Sequence, residues 1–230
     1  MNHFEIPIDL HKELNPKLWK DGELRAPVQI ALLKIARVYY KFLALDVPIV
    51  DIVISGSQAN YNYTRHSDID LHLIVNYSDV KCDMDVAELF DTKRKLWKEQ
   101  HDIEIHGMPV EVYVEDTAKP AVSSTYSLLK NQWITKPQQP VMDFNEDLVA
   151  RMIMKWVRAI KGALKTGDLE QIEMVKDLLW AYRKAGLARE GEFGTANLVF
   201  KFLRNSGASM HLLDTIRHLK DKNLSIETFD

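Results

Sequence analysis

Between Ile49 and Val75 the chain carries two short runs rich in β-branched residues, IVDIVIS (49–55) and IDLHLIV (69–75), joined by the small and polar segment 56–68. Each run is too short for an ordinary helix and too apolar for a loop, so both are predicted as strands. The second alternates. Ile69, Leu71, Leu73 and Val75 fall on one side and Asp70 and His72 on the other, with Asp68 in phase with Asp70. Such a strand buries one face and offers the other to something charged. Two carboxylates in phase have the spacing to hold hard divalent cations through oxygen. Gly56-Ser57 follows the end of the first strand, where a glycine permits close backbone approach and N–H groups with a hydroxyl can hold phosphate oxygens. Metal and phosphate subsites are therefore expected side by side.

A third carboxylate would complete a two-metal clamp and help activate an attacking hydroxyl. DIEIH (102–106) and VEVYVE (110–115) alternate strictly about Gly107-Met108-Pro109 and read as a hairpin. VEVYVE sets Glu111 and Glu115 on one face and Val110, Val112 and Val114 on the other. Glu111, mid-strand between valines, is preferred to Glu115 at the end of the run and to Glu104 on the preceding strand.

Gly56-Ser57, ten residues between Ser57 and Asp68, the run SDIDLHLIV and a later isolated acidic residue in a strand together resemble the DNA polymerase β-like nucleotidyltransferase superfamily. The spacing is similar to that of its compact members, the minimal nucleotidyltransferases. The resemblance covers residues 23–116, with the motif itself in 54–75. It implies that Gly56 and Ser57 bind a nucleoside triphosphate and that Asp68 and Asp70 hold two magnesium ions, for which manganese can substitute. Glu111 would be the third carboxylate, ligating one ion and helping deprotonate the acceptor. The implied reaction moves a nucleoside monophosphate to a hydroxyl of a protein, an RNA or a small molecule and releases pyrophosphate. Arg65 and His66 stand where they can approach a phosphate or the acceptor, and Arg65 and Ser67 join the nucleotide-binding candidates. Two positions depart from the pattern. Asn60-Tyr61 stands where many compact members carry Arg-Gly, and the third carboxylate is Glu where Asp is commoner.

The rest of the chain supplies scaffold. Val28, Leu32, Ile35, Tyr39 and Leu43 recur at helical spacing over 23–45, with Pro27 harmless in the first turn. A more polar helix is predicted over 80–100, with Val86, Leu89, Phe90, Leu96 and Trp97 for its face. Residues 120–143 hold three of the eight prolines and read as a connector with one short ordered stretch at 126–129. Helices follow near 144–165, 168–187, 195–205 and 208–220, with Asn145, Asp168, Thr195 or Ser209 as caps. The expected organisation is a nucleotidyltransferase domain over 1–119, a linker over 120–143 and a helical domain over 144–230 that forms the other side of a cleft. The fold class is α+β, a nucleotidyltransferase-type mixed sheet flanked by helices and followed by a helical bundle. Residues 1–22 are left unassigned.

Several side chains have plainer readings than a ligand site. Tyr61 and Tyr63 fit core edges better than base stacking, and His72 fits a packed, hydrogen-bonded role. Trp156 and Trp180 sit at core positions. Arg183, Lys184, Arg189, Lys201 and Arg204 read as a solvated helix face before they read as the wall of a nucleotide or acceptor cleft.

With 30 Lys+Arg against 33 Asp+Glu the net charge is −3, so no global field draws the molecule onto long nucleic acid or an anionic membrane. The charge is uneven, with 16 Lys+Arg and 21 Asp+Glu through Asp143 and 14 and 12 beyond it. A single cysteine, Cys82, excludes an internal disulfide. The N-terminal residues lack a signal pattern and no run is apolar enough to span a membrane, so a cytoplasmic protein without membrane partners is expected. The alternative to an enzyme is a non-catalytic nucleotide-sensing or interaction module. Three intact carboxylates beside a phosphate turn speak against it, because a binder does not need them all.

Overall fold

A computed structural model of the chain describes residues 11–82, 85–119, 123–139 and 145–225, and these fall into two compact units that divide between residues 139 and 145. In chain order the first unit contains β1 (Trp19–Lys20), β2 (Glu23–Leu24), α1 (Ala26–Leu43), β3 (Ile49–Ser55), β4 (Ile69–Val75), α2 (Val86–Gln100), β5 (Glu104–Ile105), β6 (Met108–Asp116), β7 (Thr125–Ser127) and β8 (Gln132–Thr135). β1 and β2 pair with each other. The other strands form one mixed sheet in the order β5-β6-β4-β3-β7-β8, in which β4 and β6 run parallel and all other neighbours antiparallel.

Period-two alternation sends Ile52 and Ile54 of β3, Ile69, Leu71 and Leu73 of β4, and Val110, Val112 and Val114 of β6 to one face. There they are buried in one core with Leu32, Tyr39 and Leu43 of α1 and with Phe90 and Trp97 of α2. The opposite face carries the polar residues Ser55, Asp70, His72, Glu111, Tyr113 and Glu115. Register fixes their neighbours across the strands: Ser55 beside Asp70, Asp70 beside Glu111, and His72 beside Tyr113.

Three boundaries differ from the sequence expectation. α1 starts at Ala26 because β1 and β2 precede it and draw Trp19 and Leu24 into the core. The hairpin turn is His106-Gly107, with φ of 53° and 76°, a two-residue loop with the left-handed pair that suits strand twist, so Met108 and Pro109 belong to β6. α2 starts at Val86, where Asp85 accepts the N–H of Glu88, and Val80 instead closes a short turn at Tyr77–Asp79.

The connector expected over 120–143 carries β7 and β8 within its described residues 123–139. Tyr126 is buried, and the Trp133 ring stacks on Trp19 at 4.8 Å. Strands of three and four residues are too short to show an alternation, which is why proline content dominated the reading. Residues 120–122 and 140–143 of that connector, and residues 1–10, lie outside the described residues.

The second unit is helical: α3 (Glu146–Thr166), α4 (Leu169–Glu190), α5 (Thr195–Asn205) and α6 (Ala208–Leu224). Its core includes Val149, Ile153, Ile160, Ile172, Leu179, Leu198, Leu203 and Leu212, with Trp156 and Trp180 packed at its edge. Asn145 and Asp168 cap α3 and α4 through their side chains. Thr195 and Ser209 do not cap. The N-cap positions are Gly194 and Gly207, and the carboxylate of Glu190 accepts the N–H of Thr195. Among the described residues no helix is long and apolar enough to cross a membrane.

α4 and α5 meet at Gly186, where an added Cβ would lie 2.2 Å from the Cβ of Ala196. Alanine gains about 1 kcal/mol over glycine in a helix interior. Overpacking between backbones costs about 1–3 kcal/mol. Gly186→Ala is therefore expected to lower the stability of the helical unit despite its better helix propensity, as a lower denaturant midpoint in an unfolding curve followed by circular dichroism.

Candidate active site

The loop between β3 and β4 is held by buried polar groups. Gln58 is fully buried; its amide donates to the Ser67 carbonyl at 3.0 Å and accepts from the Asn15 amide at 2.9 Å. Its own carbonyl accepts the Trp19 indole N–H at 2.7 Å. Each partner is lost if the loop shifts, so the segment has one low-energy position. Ser67 is also fully buried. Its hydroxyl accepts from Ser57 Oγ and from the Thr64 N–H, both at 2.9 Å. Ser67 thus lies beneath Ser57 and orients it. Arg65 is exposed on the loop and donates through Nε to His66 at 2.9 Å. Tyr63 stacks on His11 at 3.7 Å.

Gly56 has φ 73° and ψ −158°, a region open to glycine alone. An added Cβ there would sit 2.0 Å from Oδ2 of Asp70. The absent side chain is what lets the Asp70 carboxylate lie against the turn. Gly56 therefore borders the Asp70 carboxylate directly.

Asp68 precedes β4, Asp70 lies within it, and Glu111 faces Asp70 from the parallel strand β6. Oxygens of these three carboxylates all lie within 4.8 Å of one another. The donors are hard oxygens without nitrogen or sulfur, which suits magnesium or manganese and not a thiolate- or imidazole-seeking metal. The two rivals for the third position lie elsewhere. Glu104 is exposed on β5, and Glu115 meets His72.

Burial alone would raise the Glu111 pKa, but hydrogen bonds from Lys98 and Tyr113 and the charges of Lys98 and Arg94 outweigh it and hold the carboxyl below its ordinary value. The Tyr113 hydroxyl donates to Oε2 at 2.5 Å and Lys98 Nζ to Oε1. Tyr113 is itself fixed between the His72 ring, stacked at 4.9 Å, and the Arg94 guanidinium 5.2 Å from its centroid. Burial, then the nearby Asp70 charge, pushes its phenol well up, so it stays a donor.

His72 continues this polar face. Its Nε2 is 2.9 Å from Ser55 Oγ, and its Nδ1 is 3.4 Å from Glu115 Oε2. The His72 contact, opposed by burial and reinforced by Lys119, brings Glu115 down to about 2. Beside these residues opens a cavity of ≈470 Å³ lined by Val53, Ser55, His72, Ile74, Glu115 and Lys130 among others, within the range of small-molecule sites.

Sequence reasoning passed over Tyr113, Ser55 and Lys98. Tyr113 was in view, since it alternates between Glu111 and Glu115 on their own face. Ser55 closes the first strand in phase with Val53. Nothing in the sequence brings Lys98, thirteen residues away on α2, to Glu111.

A family model described as a nucleotidyltransferase domain matches residues 37–161. Neither curated proteins nor solved structures give a match.

Two outcomes follow from this geometry. Gly56→Ala should displace the Asp70 carboxylate from the turn and lower the melting temperature, while far-ultraviolet circular dichroism stays near wild type. Glu115, with its folded value below the ordinary 4.5, contributes stability in full above 4.5 and loses it as pH falls toward about 2. Unfolding curves across that window should show a shallower acid loss for Glu115→Gln than for wild type; equal slopes would contradict the assignment.

Proposed function

Because the chain belongs to the nucleotidyltransferase domain family and is thereby a transferase of phosphorus-containing groups, we propose that it uses magnesium to move a nucleoside monophosphate from a nucleoside triphosphate to an acceptor hydroxyl. The observation that carries this reading is the convergence of Asp68, Asp70 and Glu111 within 4.8 Å beside the Gly56-Ser57 turn. Bound divalent ions would neutralise charge on the phosphates and lower the pKa of the attacking hydroxyl. Asp68 and Asp70 hold these ions at the start of β4. Glu111 ligates one ion and helps take the proton from the acceptor hydroxyl. Gly56 leaves room for the Asp70 carboxylate to lie against the turn, and Ser57 donates to the phosphates once its hydroxyl turns away from Ser67. Arg65, exposed on the same loop, is assigned to an outer phosphate. Positioning accounts for much of the remaining rate.

The acceptor belongs on the polar sheet face, where the ≈470 Å³ cavity begins at Ser55, the register partner of Asp70. A cavity of that size together with a near-neutral chain supports a small molecule or a single protein side chain over a long nucleic acid.

The test is transfer of label from each of the four α-phosphate-labelled nucleoside triphosphates, with magnesium or manganese, into the protein, RNA and small-molecule fractions of a cell extract. Wild type should label one fraction. Asp68→Asn and Asp70→Asn should each reduce transfer by roughly a thousandfold, since several kcal/mol of charge stabilisation is withdrawn. Binding of a triphosphate with no transfer by wild type would favour the sensing module.

A further inference from the structure

The third carboxylate already holds a cation. Lys98 Nζ donates to Oε1 of Glu111, while Tyr113 occupies Oε2. The two partners are held very differently. Tyr113 is stacked on His72 and lies under Arg94, so it cannot leave without unpacking both. Lys98 stands in the last turn of α2 with its side chain 65% exposed, against 18% for Glu111, and its long stem can swing into water at little cost.

An ammonium on Oε1 and a divalent ion ligated by the same carboxylate would place like charges at near-contact distance, where repulsion inside a partly buried site is large. We propose that Lys98 is an internal counter-ion that holds Glu111 in the ion-free protein and withdraws when a divalent cation is ligated. The inference rests on the proposed metal site and adds a competitor to it. Lys98 is thus a positioning residue. It keeps Glu111 turned toward Asp70 in the absence of metal and makes loading weak until the ion arrives together with an anionic ligand that compensates the displaced ammonium.

The experiment measures manganese binding to the nucleotide-free full chain by electron paramagnetic resonance of free Mn²⁺, with melting temperature as a second readout. The proteins are wild type, Lys98→Met, Lys95→Met and Asp70→Asn. Lys95 lies one turn back on α2, pairs with Asp91 and is 67% exposed, so it reports what loss of any helix charge does. Lys98→Met should bind Mn²⁺ roughly two- to fivefold more tightly, the range expected for release of an exposed ion pair. Its melting temperature should fall without metal and recover with it. Lys95→Met should match wild type, and Asp70→Asn should not bind. If Lys98→Met binds no more tightly than wild type, or if Lys95→Met tightens binding equally, the counter-ion role is overturned while the metal site stands. If wild type itself does not bind Mn²⁺, the metal site and the counter-ion role fall together.

Discussion

The parallel pairing of β4 with β6 is the constraint on which the rest of the structure depends. Parallel neighbours cannot be joined by a tight turn and need a crossover, and here the chain spends residues 76–107 on it, including α2. The register set by this pairing puts Asp70 beside Glu111 and His72 beside Tyr113. A slip of one residue would turn Glu111 into the core and bring Val110 or Val112 to the polar face. Such a slip is strongly opposed, because Val110, Val112 and Val114 are all buried against the helices. The hydrophobic face of β6 thus fixes the geometry of the polar one.

A second constraint comes from the loop between β3 and β4. A thirteen-residue connection whose regular structure is a single 3-10 turn at Ser57–Ala59 would ordinarily be mobile, yet this one is tied by Gln58, Ser67, Asn15 and Trp19 through buried hydrogen bonds. Those bonds join the segment before α1 to the turn beside the carboxylates, so residues far apart in sequence share one rigid floor. Near it, the acidic cluster is electrostatically costly, and Lys98 on Glu111 offsets part of that cost.

Much of this was legible before any coordinates. The alternation in IDLHLIV and VEVYVE identified the two strands, their buried faces and the carboxylates on the other side. Those are period-two patterns on seven- and nine-residue strands, long enough to be read. β7 and β8 were missed because three or four residues carry no period. Ser67 was expected at the nucleotide and is found beneath Ser57, since motif proximity says nothing about which hydroxyl is buried. Lys98 depends on where α2 comes to lie against β6, a tertiary fact with no local signature. The four C-terminal helices were placed to within a few residues, because amphipathic repeats and two side-chain caps mark them. The glycine caps of the last two were not foreseen.

Among the described residues the sheet ends at β8, whose residues Gln132–Thr135 pair on one side only and leave Ile134 half exposed. An unpaired strand edge is a template on which another chain can add itself. This one is bracketed by Lys130 and Lys136 and followed at once by Pro137, features that discourage strand addition through charge repulsion and a missing backbone donor. The segment that looked like a connector therefore also works as a guard, keeping a six-stranded sheet from growing a seventh strand at the expense of solubility.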